Sequence, residues 1–112
     1  MLSSKTSKQS TKTLTHFECV GEFHDTFGHP LRTEIYRKCF DDEPKLVPFR
    51  LSLIDEELNE FKEAYKQNDL VEMADALCDM IYVINGMGHC LGINLDNLAK
   101  MNKIDNSWFI AG

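Results

Sequence analysis

The stretch LVEMADALCDMIYVI, from Leu70 to Ile84, decides the fold of this chain. Twelve of its fifteen residues are apolar, and the other three are the acids Glu72, Asp75 and Asp79. At about 100° per residue of an α-helix, the acids fall within about 60° of one another and apolar side chains cover the remaining directions. A helix of this kind is typically buried, and unpaired carboxylates inside it would cost several kcal/mol each. The pattern predicts a buried helix whose acidic stripe binds a partner, and a divalent metal is the simplest one.

A second group of acids, Glu56, Glu57 and Glu60, stands in the preceding segment IDEELNEF. That segment belongs to a predicted helix over about 48–67, whose apolar stripe has steps of three and four: Leu51, Ile54, Leu58, Phe61 and Tyr65. Asn68 and Asp69 form a short link, with Asp69 as the expected N-cap, so the next helix returns antiparallel. Facing pairs of acids on such helices can surround one point, and an all-oxygen site suits Mg²⁺ or Mn²⁺. Taken alone, the first group of acids also fits a solvated helix face.

The remaining segments complete an all-α prediction. Val20, Phe23 and Phe27 indicate a helix that stops at Gly28, and a short second helix is predicted from about Leu31 to Phe40, followed by a loop over 41–44. The Leu70 helix is expected to run to about Gly86 or His89, where Gly86, Gly88 and Gly92 break it, and a last helix starts near Asn94. Residues 1–15, rich in Ser, Thr and Lys, are expected to be a disordered tail, and 16–112 a single domain.

Composition limits the function. The net charge of −6 argues against binding to nucleic acid or to an anionic membrane. The four cysteines form no CxxC pair that would suggest zinc. No apolar run approaches the roughly 18 residues of a membrane span, and no signal peptide is recognisable. We therefore expect a cytoplasmic protein with reduced thiols.

The two acidic motifs resemble a known signature. Glu56-Glu57-x-x-Glu60, an eleven-residue gap and Glu72-x-x-Asp75 are similar to the motifs of the all-α NTP pyrophosphohydrolases, which include MazG, dimeric dUTPases and phosphoribosyl-ATP pyrophosphohydrolases. FHDTFGHP (23–30), ADALCDMIYVINGMGHCLGINLD (74–96) and the final helix resemble the MazG-like branch related to phosphoribosyl-ATP pyrophosphohydrolase. The resemblance covers about residues 17–107. It implies a four-helix-bundle-like protomer that assembles into a dimer or tetramer.

The resemblance also implies an activity: Mg²⁺-dependent cleavage of a nucleoside triphosphate between its α and β phosphates. By match of motif, the metal ligands would be Glu57, Glu60, Glu72 and Asp75, with Mn²⁺ as a possible substitute for Mg²⁺. Glu56 would position the attacking water or bind a further metal. The expected substrate contacts are Asp79, Asn85, Lys103, Asn106 and His24, although a structural role is the alternative for Asp79, Asn85 and His24.

Three functions follow. The first is removal of dUTP or another non-canonical nucleotide. The second is hydrolysis of phosphoribosyl-ATP. The third is a non-catalytic helical interaction module in which the acids are a vestigial site. Where related chains often carry a phosphate-binding Lys after the Asn, this sequence has Phe109, so that contact is missing.

Overall fold

The structure, a computed structural model, describes residues 13–104, with side chains for residues 13–100. This part of the chain holds five helices and no strand: α1 (His16–Phe27), α2 (Cys39–Asp42), α3 (Leu46–Lys66), α4 (Leu70–Leu91) and α5 (Leu95–Ile104). The all-α prediction is confirmed. Most of the predicted tail lies outside the described residues. Within residues 13–104, no helix is long and apolar enough to cross a membrane.

The two longest helices, α3 and α4, pack against each other as an antiparallel hairpin. The chain reverses at Asn68, whose φ of 56° lies in the left-handed region that Asn tolerates better than most residues. Asp69 caps α4 as predicted, because its side chain accepts a hydrogen bond from the Glu72 N–H at 3.1 Å. The short link sets the register with which acids on α3 meet acids on α4.

Helix α1 packs antiparallel against the C-terminal half of α4. Near its start the Phe17 ring stacks on the His89 ring at 3.8 Å, and near its end the Phe23 ring meets the edge of Tyr82 at 5.3 Å. The helix begins at Thr15, which forms a capping box with Glu18, and it ends at Gly28 with a φ of 74°. The predicted end of this helix is confirmed.

The helix predicted from Leu31, Ile35 and Phe40 is wrong over most of its length, since only the four-residue α2 forms there. The physical reason lies at the end of α4, whose last carbonyls have no partner within the helix. The backbone N–H of Arg32 donates to the His89 carbonyl at 3.0 Å, and that of Tyr36 donates to the Leu91 carbonyl at 2.9 Å. The segment therefore uses these backbone N–H groups to bond the end of α4 and not to form a helix of its own. Asp41 and Asp42, predicted in a loop, belong to α2.

Helix α4 continues through Gly86 and Gly88, two of the three glycines predicted to break it, and ends at the third, Gly92. Gly86 is required by a close approach: a Cβ atom there would lie 3.0 Å from His24 Nε2 and 3.1 Å from Arg50 Nη1. The missing side chain lets α1 and α3 come close to α4 at the same level. The glycine is thus a packing residue inside the helix.

The Leu70 helix, predicted to be buried, is only partly covered in the isolated protomer. Within residues 13–104, α1 and α3 are the helices that pack closely on α4, and α1 covers its C-terminal half. Leu70, Val71 and Leu77 are 75%, 77% and 48% exposed. The four cysteines are free thiols, and Cys78, expected inside the core, is exposed. Within the described residues, the apolar side chains Leu70, Val71 and Leu77 in the N-terminal half of α4 are left exposed.

Candidate metal centre between the two long helices

Three carboxylates from α3 and α4 come together in the middle of the hairpin. Glu57 and Glu60 lie one turn apart on α3, and Asp79 faces them from α4. One ligand oxygen from each lies within 4.8 Å of the others. Glu60 and Asp79 are exposed, whereas Glu57 is only partly accessible. The cluster is open to solvent on one side and backed by the helix pair on the other.

The electrostatics of the cluster centre on Glu57. Desolvation, followed by the negative charges of Glu60 and Asp79, raises the pKa of Glu57 to about 7 from its usual value near 4.5. Its Oε1 atom is buried and has no hydrogen-bond partner in the described part of the chain. A buried carboxylate oxygen without a donor is unusual in a folded protein. The position calls for a positive group that the described residues do not supply.

The donor set fits a hard divalent cation. Carboxylate oxygens are the ligands that Mg²⁺ prefers, at about 2.1 Å, so two oxygens on opposite sides of one ion would be about 4.2 Å apart. Separations up to 4.8 Å therefore need side-chain adjustments of a few tenths of an ångström. The unpaired Oε1 of Glu57 points to the same conclusion. An ion here would supply positive charge for the three acids and for a bound phosphate.

The register of the hairpin explains why Asp79 joins this group. Arg50 on α3 lies beside Gly86 on α4. Because the helices are antiparallel, moving two turns forward along α3 to Glu57 corresponds to moving two turns back along α4 to Asp79, and these two acids also lie side by side. Glu72 and Asp75, predicted as the partners of Glu57 and Glu60, stand nearer the link. Both are exposed, and neither belongs to the group of three within residues 13–104.

Of the other predicted site residues, the structure describes Glu56 and Asn85 with their side chains. Glu56 is exposed beside Glu57, and its charge contributes to the raised pKa of Glu57. The Asn85 side-chain amide donates to the Ile81 carbonyl at 2.9 Å, so it is held on its own helix. Lys103 lies on α5, but its side chain, like all of Asn106, is outside the described part of the chain.

The placement of His24 favours the structural role that the sequence left as an alternative. Its ring is 1% exposed, and Nδ1–H donates to the Pro30 carbonyl at 2.6 Å. Burial, with Arg50 and His89 nearby, lowers the pKa of His24 despite that hydrogen bond, so the ring is neutral near pH 7. A ring enclosed between α1 and α4 does not contact a substrate at the surface. Its hydrogen bond instead links the segment after α1 to α1 itself.

Arg50 is a buried polar residue that was not predicted from the sequence. It is 7% exposed, its Nε is buried without a partner, and no ion pair of Arg50 occurs within residues 13–104. It lies seven residues before Glu57, on the same face of α3. A cation placed in line with the apolar stripe was the available signal in the sequence.

Together the fold and the acids define a class of protein, an all-α bundle with an all-oxygen acidic site between two antiparallel helices. Comparison with known proteins then gives the family. The phosphoribosyl-ATP pyrophosphohydrolase family matches residues 20–105, and the chain belongs to it. The resemblance to the MazG-like all-α NTP pyrophosphohydrolases is thereby confirmed, and the family indicates an enzyme of the pyrophosphohydrolase type.

A viral relative extends the likeness. The uncharacterized protein L479 of Acanthamoeba polyphaga mimivirus is 45% identical over 91 residues, which make up 81% of this chain and 36% of the relative. The chain therefore spans about a third of the length of that protein.

Proposed function

We propose that this chain is a Mg²⁺-dependent nucleoside triphosphate pyrophosphohydrolase that releases a nucleoside monophosphate and pyrophosphate. The observation that carries the proposal is the cluster of Glu57, Glu60 and Asp79, with one buried oxygen of Glu57 unpaired. The family supports a pyrophosphohydrolase. The preferred substrate is dUTP or another non-canonical nucleotide, because no feature of the described residues is specific for phosphoribosyl-ATP.

Each acid has a proposed role. Mg²⁺, or Mn²⁺ as a substitute, is held by Glu57, Glu60 and Asp79. The sequence motif suggests two further ligands, Glu72 and Asp75, which lie on the same stripe of α4 as Asp79. Bound Mg²⁺ neutralises phosphate oxygens so that a nucleophile can approach the phosphorus. Glu56 orients the attacking water and accepts its proton. The water oxygen bonds to the α phosphorus, and pyrophosphate leaves with the electron pair of the broken bond.

The proposed assembly is a homo-oligomer, a dimer or tetramer. Its support is the apolar side of α4 that the protomer leaves exposed, including Leu77, Ile81 and Ile84. The remaining substrate contacts, Asn85, Lys103 and Asn106, are proposed from the sequence resemblance. The net charge of −6 supports a small-molecule substrate in preference to nucleic acid.

Pyrophosphate release is the test. The full chain is assayed with Mg²⁺ or Mn²⁺ against dUTP, dCTP, dTTP, dATP, ITP, 8-oxo-dGTP and phosphoribosyl-ATP, and with EDTA. We expect metal-dependent release from a non-canonical nucleotide. Glu57→Gln and Asp79→Asn should lower kcat/KM by about a thousandfold or more, since each removes a ligand of the charge-neutralising ion.

Glu63→Gln is the matched control, because Glu63 lies on α3 in an exposed pair with Lys66 and outside the cluster. It should keep wild-type activity. If pyrophosphate were released from phosphoribosyl-ATP alone, the substrate would be phosphoribosyl-ATP and not a non-canonical nucleotide. Absence of release, together with no rise in Tm on adding Mg²⁺, would favour the non-catalytic interaction module, because a ligand that binds the native state stabilises it.

A further inference from the structure

Aromatic rings cluster where the C-terminal end of α1 meets α4. The rings of Phe23 and Phe27 lie 4.4 Å apart, the Tyr82 ring meets Phe23 edge-on at 5.3 Å, and His29 lies nearly parallel to Phe23 at 6.2 Å. Phe23 and Phe27 are nevertheless 42% and 62% exposed. Two adjacent phenylalanine rings with this much accessible surface form a patch that internal packing does not explain.

The patch lies beside the acidic cluster. Tyr82 follows Asp79 by three residues, which places it about one helical turn, or about 5 Å, further along the same side of α4. Because α1 runs antiparallel to α4, Phe27 lies one turn beyond Phe23 in the direction of Asp79. The exposed rings therefore start about one turn from the carboxylates proposed to hold the metal.

Hydrogen bonds hold the backbone at the end of α1, where the two rings are attached. The buried His24 ring donates to the Pro30 carbonyl, and the His29 N–H donates to the His24 carbonyl at 2.8 Å. Gly28, in the left-handed conformation, turns the chain between them. The two rings are thus held in place before any ligand arrives, and a preorganised surface binds with a smaller entropic penalty.

We propose that Phe23 and Phe27 form the surface on which the base of the nucleotide substrate stacks, with Tyr82 bracing Phe23 from the side. The proposal rests on the proposed function, since the acids must hold the phosphates for the base to fall on the rings. Every base has a flat face, so stacking on phenylalanine supplies affinity with little discrimination among bases. In this proposal Phe23 and Phe27, on the same helix, make the substrate contact that the sequence assigned to His24.

The test uses substitutions at Phe27, the more exposed ring. Phe27→Leu removes the flat face and keeps an apolar side chain, whereas Phe27→Tyr keeps the ring. We expect Phe27→Leu to raise KM for the best nucleotide of the panel by about tenfold while kcat changes little, and Phe27→Tyr to stay within about twofold of wild type. Phe40→Leu, at a 76% exposed phenylalanine on α2, is the matched control and should not change KM.

A second measurement separates the base from the phosphates. Binding of inorganic pyrophosphate with Mg²⁺, measured by titration calorimetry, should be the same for wild type and Phe27→Leu, because this ligand has no base. Equal losses of nucleotide and pyrophosphate affinity would overturn the proposal and indicate that the ring supports the acidic cluster.

Three further outcomes would also decide between these assignments. An unchanged KM for Phe27→Leu, in a wild type that hydrolyses nucleotides, would overturn the base site alone. An unchanged KM with dissociation of an oligomer in sedimentation would assign the rings to a contact between copies. A wild type that neither hydrolyses nor binds any nucleotide of the panel would overturn the proposed function, and the base site with it.

Discussion

The raised pKa of Glu57 has a direct consequence for metal binding. A metal binds the carboxylate and competes with the proton, so Mg²⁺ affinity should increase with pH until it levels off above about 7. Below that pH the affinity should fall by up to about tenfold per pH unit if one proton is displaced. Calorimetric titrations of the wild type between pH 5.5 and 8.5 measure this slope. A flat profile would contradict the assignment of Glu57 as a ligand.

The same carboxyl also changes the stability of the metal-free protein with pH. Because folding raises the pKa of Glu57, its contribution to stability is fully present below pH 4.5 and is lost as the pH rises through about 7. Glu57→Gln stays neutral at every pH and should remove this loss. Urea unfolding of both proteins in EDTA gives the comparison, with Glu63→Gln as a variant whose pH dependence should follow that of the wild type.

His24 predicts the opposite pH dependence. Burial lowers the pKa of its ring, so the native state holds it neutral, and its contribution to stability is lost as the pH falls below the usual value of 6.5. Protonation would place a second positive charge among Arg50, His89 and His29, which lie near the ring on α3, α4 and the loop after α1. Stability should therefore fall on mild acidification.

Urea unfolding between pH 7.5 and 5 tests this expectation. His24→Gln should be less stable than the wild type at pH 7.5 but should lose less stability on acidification. Phe40→Leu supplies the control, because it changes no titratable group, lies on α2 and should keep the wild-type slope. An equal slope for wild type and His24→Gln would show that another group titrates with the unfolding.

At the scale of the element, two helix-ending glycines allow a matched prediction. Gly28 and Gly92 have φ angles of 74° and 69°, so alanine is strained at either position by roughly 1–2 kcal/mol. A Cβ at Gly28 would meet nothing within 4 Å, whereas one at Gly92 would lie 1.8 Å from the Glu34 carbonyl oxygen. Gly92→Ala must therefore also displace the segment that bonds to the end of α4.

We expect Gly28→Ala to lower the free energy of unfolding by about 1–2 kcal/mol and Gly92→Ala to lower it by about 4 kcal/mol or more, or to prevent folding. Urea denaturation measures both. Equal losses would mean that the chain between α1 and α2 moves aside without disturbing the bonds of Arg32 and Tyr36 to α4.

The same elements show what the sequence predicts and what it leaves undetermined. Periodicity was sufficient for α1, α3 and α4, because each has an apolar stripe. Gly28 also marks the end of α1, and Asp69 marks the start of α4. It failed for the segment after Gly28, whose helical spacing is outweighed by backbone bonds to α4. It also failed at Gly86, since the neighbours that need its small size, His24 and Arg50, are distant in the chain.

The candidate site, like the helices, was predicted only in part from the sequence. The motif identified Glu57 and Glu60 on α3, and the helical wheel placed three acids on one stripe of α4. Which of the three meets Glu57 depends on the register of the hairpin, and no periodicity within one helix contains that information. Asp79 therefore joined the metal group only in the structure.

For the whole molecule, the outer surface of α4 is the dominant feature. Leu70, Leu77, Ile81 and Ile84 are all at least 41% exposed, and with the exposed Ala74 they follow one another at alternating steps of four and three residues. This spacing is that of the a and d positions of packed helices. On α3, Leu51 and Leu58, 50% and 37% exposed, repeat at seven. The hairpin thus presents apolar stripes suited to a second pair of helices.

A second copy of the chain is the partner we expect on this surface, and Leu77→Glu tests it. The wild type should sediment as an oligomer, with a Tm that rises with protein concentration because association stabilises the folded chain. A glutamate in the middle of the stripe would have to be buried without a partner in the assembly, so Leu77→Glu should shift the protein to monomers and remove the concentration dependence. Phe40→Glu, at a more exposed apolar position on α2, should remain oligomeric. A wild type that stays monomeric at the highest soluble concentration would mean that this surface of α4 is covered by a different partner.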